Sequence, residues 1–316
     1  MTGKLKIVVA GIGGVGGYFG GLLAQKYVHD ESVEVYFIAR GEHLRQINKK
    51  GLTVVTANSS FTAVPAMATD CPAETGIADY LILCTKSYDL DQTLDQLKPC
   101  IDANTVILPL LNGVESTGRI EARFPANLVL QGCVYIVSRI TSPGVIEKTS
   151  NIQKLFFGPG HAANDRLRLL ENLFRACGIE ATLSENIIEV IWKKFIYISP
   201  VATATSWFNN CIGELLDDPD KRKNLHQLIE EVARIALFKG VVTDPEIAAK
   251  TREQLKLFPY ASTSSMHSDY LNHKKQTELE TLTGYVVREG QKLNLPTPCF
   301  EKAYKTLHLF SETKKI

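Results

Sequence analysis

The sequence carries almost no net charge: its 35 basic and 34 acidic side chains leave a formal value of +1 over 316 residues. A surface so balanced offers no single-sign field. That excludes binding to nucleic acid or to an anionic membrane by bulk electrostatics, and any anion must be held by a local arrangement. Long hydrophobic runs are also missing. A membrane-spanning helix needs about 20 consecutive apolar residues, and MTGKLKIVVAG passes into a strand pattern without a cleavage-site signature, so the chain reads as cytoplasmic. There is no CxxC pair and no histidine cluster, and the cysteines number seven, so neither a disulfide framework nor a metal site is indicated. Cys71, Cys84, Cys100, Cys133, Cys177, Cys211 and Cys299 lie mostly in or beside apolar stretches, where a reduced thiol serves as a small hydrophobe. Internal repeats and low-complexity tracts are absent, and only Lys314 to Ile316 read as a loose tail.

What is present is enough apolar sequence for two cores, since a chain of this length usually divides. In the first half LKIVVA, VEVYFIA, YLILCT and TVILPLL alternate with helix-compatible segments, the pattern of a parallel sheet covered on both faces. GLTVVTANSSFTAVPAM predicts a hairpin at the sheet's edge. The strand signal continues through LVLQGCVYIVSRI and KLFFGPG, a helix is expected from Asn164 to Cys177, and GIEATLS closes the series. Beyond about Ser184 the patterns are helical. Asp218-Pro219 and Asp244-Pro245 each place an acidic cap before a proline suited to a first turn, and Pro296 and Pro298 mark the entry to a last helix.

The first strand runs directly into GIGGVG. Gly11, Gly13 and Gly16 hold the GxGxxG register, with Ile12, Gly14 and Val15 between them. The first glycine permits a tight turn, the second admits a pyrophosphate, and the third allows close helix-strand packing at a helix N-terminus that attracts the anion. No Gly-Lys-Ser/Thr follows, so the loop is not of the nucleoside-triphosphate kind. The expected fold is therefore α/β: a Rossmann-like, mostly parallel sheet with helices on both faces over residues 1–183, and an all-helical substrate and closure domain over 184–316, with the seam near residues 180 to 186. After the second strand, where NAD-binding domains carry an acid for the ribose, stands Arg40. A guanidinium there suits a 2′-phosphate, which points to NADPH; the bland alternative is an arginine facing solvent.

Together, GIGGVG, the arginine of FIARGEHL, CTKSYD, LLNGVE, IWKKF, and SSM followed by QTELETLTGY resemble the ketopantoate reductase (2-dehydropantoate 2-reductase) family, in order and over nearly the whole chain. Lys86 and Asn112 follow predicted parallel strands at their carboxyl ends, where open α/β sheets bind ligands. The resemblance implies that both border the nicotinamide and the substrate; singly, they would be a solvated lysine and an Asn-Gly turn. In IIEVIWKKFIYI, residues 187, 190, 191, 194 and 198 share a helical face, so Lys194 rather than Lys193 lies on an apolar stripe. The resemblance gives Lys194 the role of general acid and Glu278 that of its acidic partner, with Glu280 the local competitor. Ser265 matches a substrate-binding serine, against the alternative of a loop or helix cap.

The departures are as specific. Counting from Lys194, Ile198 and Ala202 stand where the family has asparagines, and Ser262 replaces a third. Either Ser199, Thr203 or Thr205 compensates, or the substrate is another 2-oxo acid. The activity implied is NADPH-dependent reduction of ketopantoate to pantoate, in pantothenate and coenzyme A synthesis. The alternatives are a reductase of another small 2-oxo or 3-oxo acid and a non-catalytic dinucleotide-binding sensor. The partner is a small 2-oxo acid, with no nucleic acid and no membrane, and the sequence leaves room for a homo-oligomer.

Overall fold

The computed structural model describes residues 3–160 and 162–313; the expected tail from Lys314 to Ile316 lies outside the described residues. Backbone contacts divide the chain into two units, Met1–Leu111 with Ser116–Ile187, and Asn112–Glu115 with Ile188–Ile316.

In the first unit, five short apolar runs become the parallel sheet. They are β1 (Leu5–Ala10), β2 (Val33–Ile38), β5 (Met67–Thr69), β6 (Tyr80–Leu83) and β7 (Val106–Pro109), ordered β5-β2-β1-β6-β7. Strand alternation sends Val9, Phe37, Ile82 and Leu108 into one core, and Val8, Ile38, Leu83 and Ile107 into another on the opposite face. Burial of both faces is why these runs are continuously apolar rather than alternating. The first core is covered by α1 (Gly14–Lys26), α2 (Gly41–Lys50) and α5 (Asp165–Ala176), and the second by α3 (Leu90–Leu97) and α4 (Ser116–Arg123). The order in which successive strands are added reverses between β1 and β6, the switch point at which such sheets open a ligand crevice.

Two features depart from expectation. β3 (Leu52–Val55) and β4 (Ser60–Ala63) form the hairpin foreseen, but not at the edge of the parallel sheet. β3 pairs in parallel with β10 (Val145–Lys148), whose other neighbour is β9 (Ser138–Ser142), giving a separate sheet β4-β3-β10-β9. Glycines in α1 make room for it: a Cβ on Gly17 would come within 2.6 Å of Ile146, and one on Gly21 within 2.8 Å of Val54. Second, LVLQGCVYIVSRI is not one strand. It splits into β8 (Gln131–Tyr135), which joins β11 (Lys154–Gly158) and β12 (Glu180–Leu183) in a third sheet, and β9 in the second.

The second unit is helical: α6 (Ile187–Phe208), α7 (Ile212–Asp217), α8 (Pro219–Phe238), α9 (Ile247–Leu255), α10 (Ser265–Leu271), α11 (Tyr285–Lys292) and α12 (Pro298–Thr313), with a π turn at Glu280–Gly284 before α11. α6 is apolar on most of its circumference and buries Trp192, Phe195 and Ile196 against Val232, Val286 and Phe300. Asp218 caps α8 as foreseen, its carboxylate accepting from the amides of Asp220 and Lys221 at 2.9 and 3.1 Å. Asp244 does not cap α9. Its carboxylate accepts from Glu246 N–H at 3.0 Å, so Pro245 and Glu246 form a turn and the helix starts at Ile247. Among the described residues, no helix is long and apolar enough to cross a membrane.

Candidate active site

In the first unit, the end of β1 meets the segment after β6. Gly11 has φ +91°, and a Cβ there would come within 2.9 Å of the Cys84 carbonyl carbon and the Thr85 nitrogen, so only glycine makes this turn. At Gly16 a Cβ would collide with the Gly11 carbonyl oxygen, which sets how near α1 approaches the strand. Gly13 is different: a Cβ would meet nothing within 4 Å. It stands at the N-cap of α1, where no side chain caps the helix and the first turn holds no acid.

A cavity of about 290 Å³ opens at this turn. It runs from Gly11, Ile12 and Gly13 past Thr85 and Lys86 to Arg40, His43 and Gln96. Arg40 is exposed at the N-cap of α2, and its guanidinium donates to Gln96 Oε1 at 2.5 Å. His43 Nδ1 accepts from Gly144 N–H at 2.9 Å, and burial pushes its imidazole below the ordinary range, so it is neutral near pH 7. Thr85 Oγ1 and His43 Nε2 are buried polar atoms with no hydrogen-bond partner. Burial also pushes the Cys84 thiol up, keeping a neutral group in the wall. An uncapped helix N-terminus, a glycine facing open space, an arginine and an orphaned threonine hydroxyl fit a dinucleotide. His43 and Thr85 lie inside FIARGEHL and CTKSYD but were not singled out there, and no motif marks Gln96.

In the second unit, the half-buried Lys194 donates from Nζ to Asn112 Oδ1 at 3.1 Å. Lys193 is 47% exposed and pairs with Glu189 at 2.8 Å. The stripe read from the sequence is deep at Ile187 and shallow beyond it: Val190, Ile191 and Ile198 are half-buried, and the deep face of α6 past its first turn is that of Trp192, Phe195, Ile196 and Ser199. Glu278 is 3% exposed, whereas its competitor Glu280 is exposed and accepts from Arg288 at 2.7 Å and Tyr304 at 2.6 Å. Gly113, with φ +92°, allows the loop carrying Asn112 to lie against Thr281 of the π turn. Ser265 is exposed in the first turn of α10; the helix cap is Ser264, whose Oγ accepts from His267 N–H at 3.0 Å. Asn112, Lys194, Ser265 and Glu278 thus all belong to the second unit, and the glycine turn, Arg40 and Lys86 to the first.

The model of the family Ketopantoate reductase PanE/ApbA matches residues 7–161, and that of its C-terminal domain matches residues 186–311. The chain belongs to the ketopantoate reductase family. It is 30% identical to the uncharacterized oxidoreductase YkpB of Bacillus subtilis over 98% of its own length and all of that protein's. The crystal structure of 2-dehydropantoate 2-reductase from Porphyromonas gingivalis superposes with a TM-score of 0.85 at 37% identity, over 96% of this chain and 99% of that one. In fold alone it also matches a D-mandelate dehydrogenase determined with NADH and anilino(oxo)acetate, at 22% identity and a TM-score of 0.85, covering 99% and 100% of the two chains. Like its family, this ketopantoate reductase family member is an oxidoreductase of dinucleotide-binding fold.

The hydroxyls weighed as stand-ins for the missing asparagines, those of Ser199, Thr203 and Thr205, are engaged inside the helical unit. All three are fully buried, Ser199 Oγ donating to Leu282 O at 2.6 Å, Thr203 Oγ1 meeting Thr283 Oγ1 at 2.8 Å, and Thr205 Oγ1 donating to Val201 O at 2.7 Å. Their hydroxyls serve the interior of the helical unit because α6 is buried on the sides that carry them. Ala202 is equally buried, so an amide there would displace core atoms.

Proposed function

We propose that this protein is a cytoplasmic, NADPH-dependent reductase that converts ketopantoate to pantoate, the step that feeds pantothenate and coenzyme A synthesis. The observation that carries the reading is the half-buried Lys194 Nζ held at 3.1 Å by Asn112 Oδ1, in a family of oxidoreductases. NADPH, when bound, supplies the hydride. The glycine turn and the N-terminus of α1 hold its pyrophosphate, Arg40 its 2′-phosphate, and Lys86 borders its nicotinamide end. Lys194 donates the proton that the keto oxygen needs as it becomes an alkoxide. Asn112 can only accept from the ammonium through Oδ1, so it fixes the direction of Nζ without taking its proton. Glu278 and Ser265 are assigned to the substrate, the former to its hydroxyl and the latter to its carboxylate. Seven free thiols agree with a reducing compartment.

The test is oxidation of NADPH by the purified protein with a panel of 2-oxo acids, among them ketopantoate and its counterpart lacking the hydroxyl. Ketopantoate should give the highest kcat/KM. Preference for the unhydroxylated acid would assign the site, with Ile198 half-buried beside Lys194 on α6, to another 2-oxo acid. Binding of NADPH without oxidation by any acid would make the protein a sensor and overturn the reading.

A further inference from the structure

We propose that Gln96 is a specificity-determining residue for the cofactor: it holds the Arg40 guanidinium at the end of the dinucleotide cavity while leaving its positive charge uncompensated, so that the charge is available to a 2′-phosphate. The inference rests on the NADPH reading above and deepens it.

Arg40 and Gln96 line one cavity, and among the described residues the one hydrogen bond of the Arg40 side chain runs to Gln96 Oε1. Asp89 lines the same cavity, but among the described residues the side-chain partner of Arg40 is Gln96 and not a carboxylate, and three acids of the flanking helices are held by other bases. Glu42, in the first turn of the helix that Arg40 caps, accepts from Arg45 and Gln46 at 2.7 Å each. On α3, which carries Gln96, Asp91 pairs with Arg119 at 2.8 Å, and Asp95 with Lys98 at 2.8 Å and with Arg123. The position that meets Arg40 is the amide.

The chemistry of that choice is specific. A free arginine on the surface loses rotamer freedom when it closes on a phosphate, and a residue that already orients it removes part of that loss. A glutamate at 96 would orient Arg40 as well or better, but it would neutralise the guanidinium and repel the incoming dianion. Glutamine orients without neutralising, and its amide N–H groups are themselves donors suited to a phosphate oxygen. NADH carries neutral ribose hydroxyls at this end, which a carboxylate would accept from rather than repel.

The experiment is direct binding without substrate, by the change in reduced-nicotinamide fluorescence, with NADPH and NADH on the wild type and on Gln96→Glu, Gln96→Ala and Arg40→Ala. Gln96→Glu should weaken NADPH by about tenfold or more while NADH is weakened less than about twofold or binds more tightly, the selective loss expected of one charge-assisted contact. Gln96→Ala, which removes orientation but adds no charge, should fall between wild type and Gln96→Glu. An unchanged NADPH-to-NADH ratio in Gln96→Glu, or equal weakening of both cofactors, overturns the role of Gln96. If Arg40→Ala also leaves the ratio unchanged, the phosphate is held elsewhere and the NADPH reading itself fails.

Discussion

Lys193 and Lys194 are neighbours in sequence and opposites in surroundings. One turns to solvent and to Glu189, and the other to Asn112 from a half-buried stripe. A positioned general acid contributes about 10²–10⁴-fold to rate. Lys194→Ala should therefore lower kcat at least about a hundredfold with the NADPH dissociation constant nearly unchanged, while Lys193→Ala, losing only an exposed pair, should change kcat little. Steady-state kinetics beside a binding titration checks both, and a damaging Lys193→Ala would move the proton donor to the other lysine. This distinction was legible beforehand, because a helical period separates adjacent residues by a third of a turn. The different surroundings of Glu278 and Glu280 were not. They depend on Arg288 and Tyr304, which approach Glu280 through the fold of α11 and α12. Nor could sequence show that Ser199, Thr203 and Thr205 are internal, since that follows from how many sides of α6 are covered.

At the scale of elements, the start of α12 is held by a side chain from another helix. Glu231 of α8, 1% exposed, accepts from Cys299 N–H at 2.9 Å and Phe300 N–H at 3.0 Å. Two first-turn amides of a helix are thereby satisfied inside the core. Glu231→Ala would orphan both, and at about 1–3 kcal/mol for each buried unsatisfied group it should lower the stability to denaturant by at least about 2 kcal/mol. Burial outweighs the two amides and pushes the Glu231 carboxyl above its ordinary value. The folded state thus binds this proton more tightly than the unfolded chain, so its contribution to stability is largest below the unfolded carboxylate range and falls as pH rises through the folded value. Glu231→Gln keeps one acceptor and removes the charge. Relative to wild type, it should become progressively more favourable as pH rises from about 4 toward neutrality, near the ordinary glutamate range. Denaturant titrations of both proteins across that interval would show it, and a pH-independent difference would mean that the Glu231 carboxyl binds its proton equally well in the folded and unfolded states.

For the whole molecule, the parallel sheet was readable because each strand is buried on both faces and says so in its composition. The second sheet was not, because β3 finds β10 far along the chain, and the glycines of α1 that admit it look like helix breakers when read alone. The least visible feature was the segment Asn112–Glu115, which leaves the strand β7 and belongs with the helices. Gly113→Ala would strain a left-handed residue and strike Thr281. Because the segment docks on residues distant in sequence, the loss should appear as faster unfolding with an almost unchanged refolding rate in stopped-flow measurements. Slower refolding in proportion would mean that it docks early.

The same segment has a consequence for the order of synthesis. Asn112 waits for a lysine 82 residues further on, and Glu115 for Arg288, 173 residues further on and 3.5 Å away when the fold is complete. As the chain grows from its N-terminus, the glycine turn and its sheet can be built long before these four residues have anything to hold. The dinucleotide cradle is thus among the first parts of the protein that a ribosome can finish, and the setting of the proposed proton donor among the last.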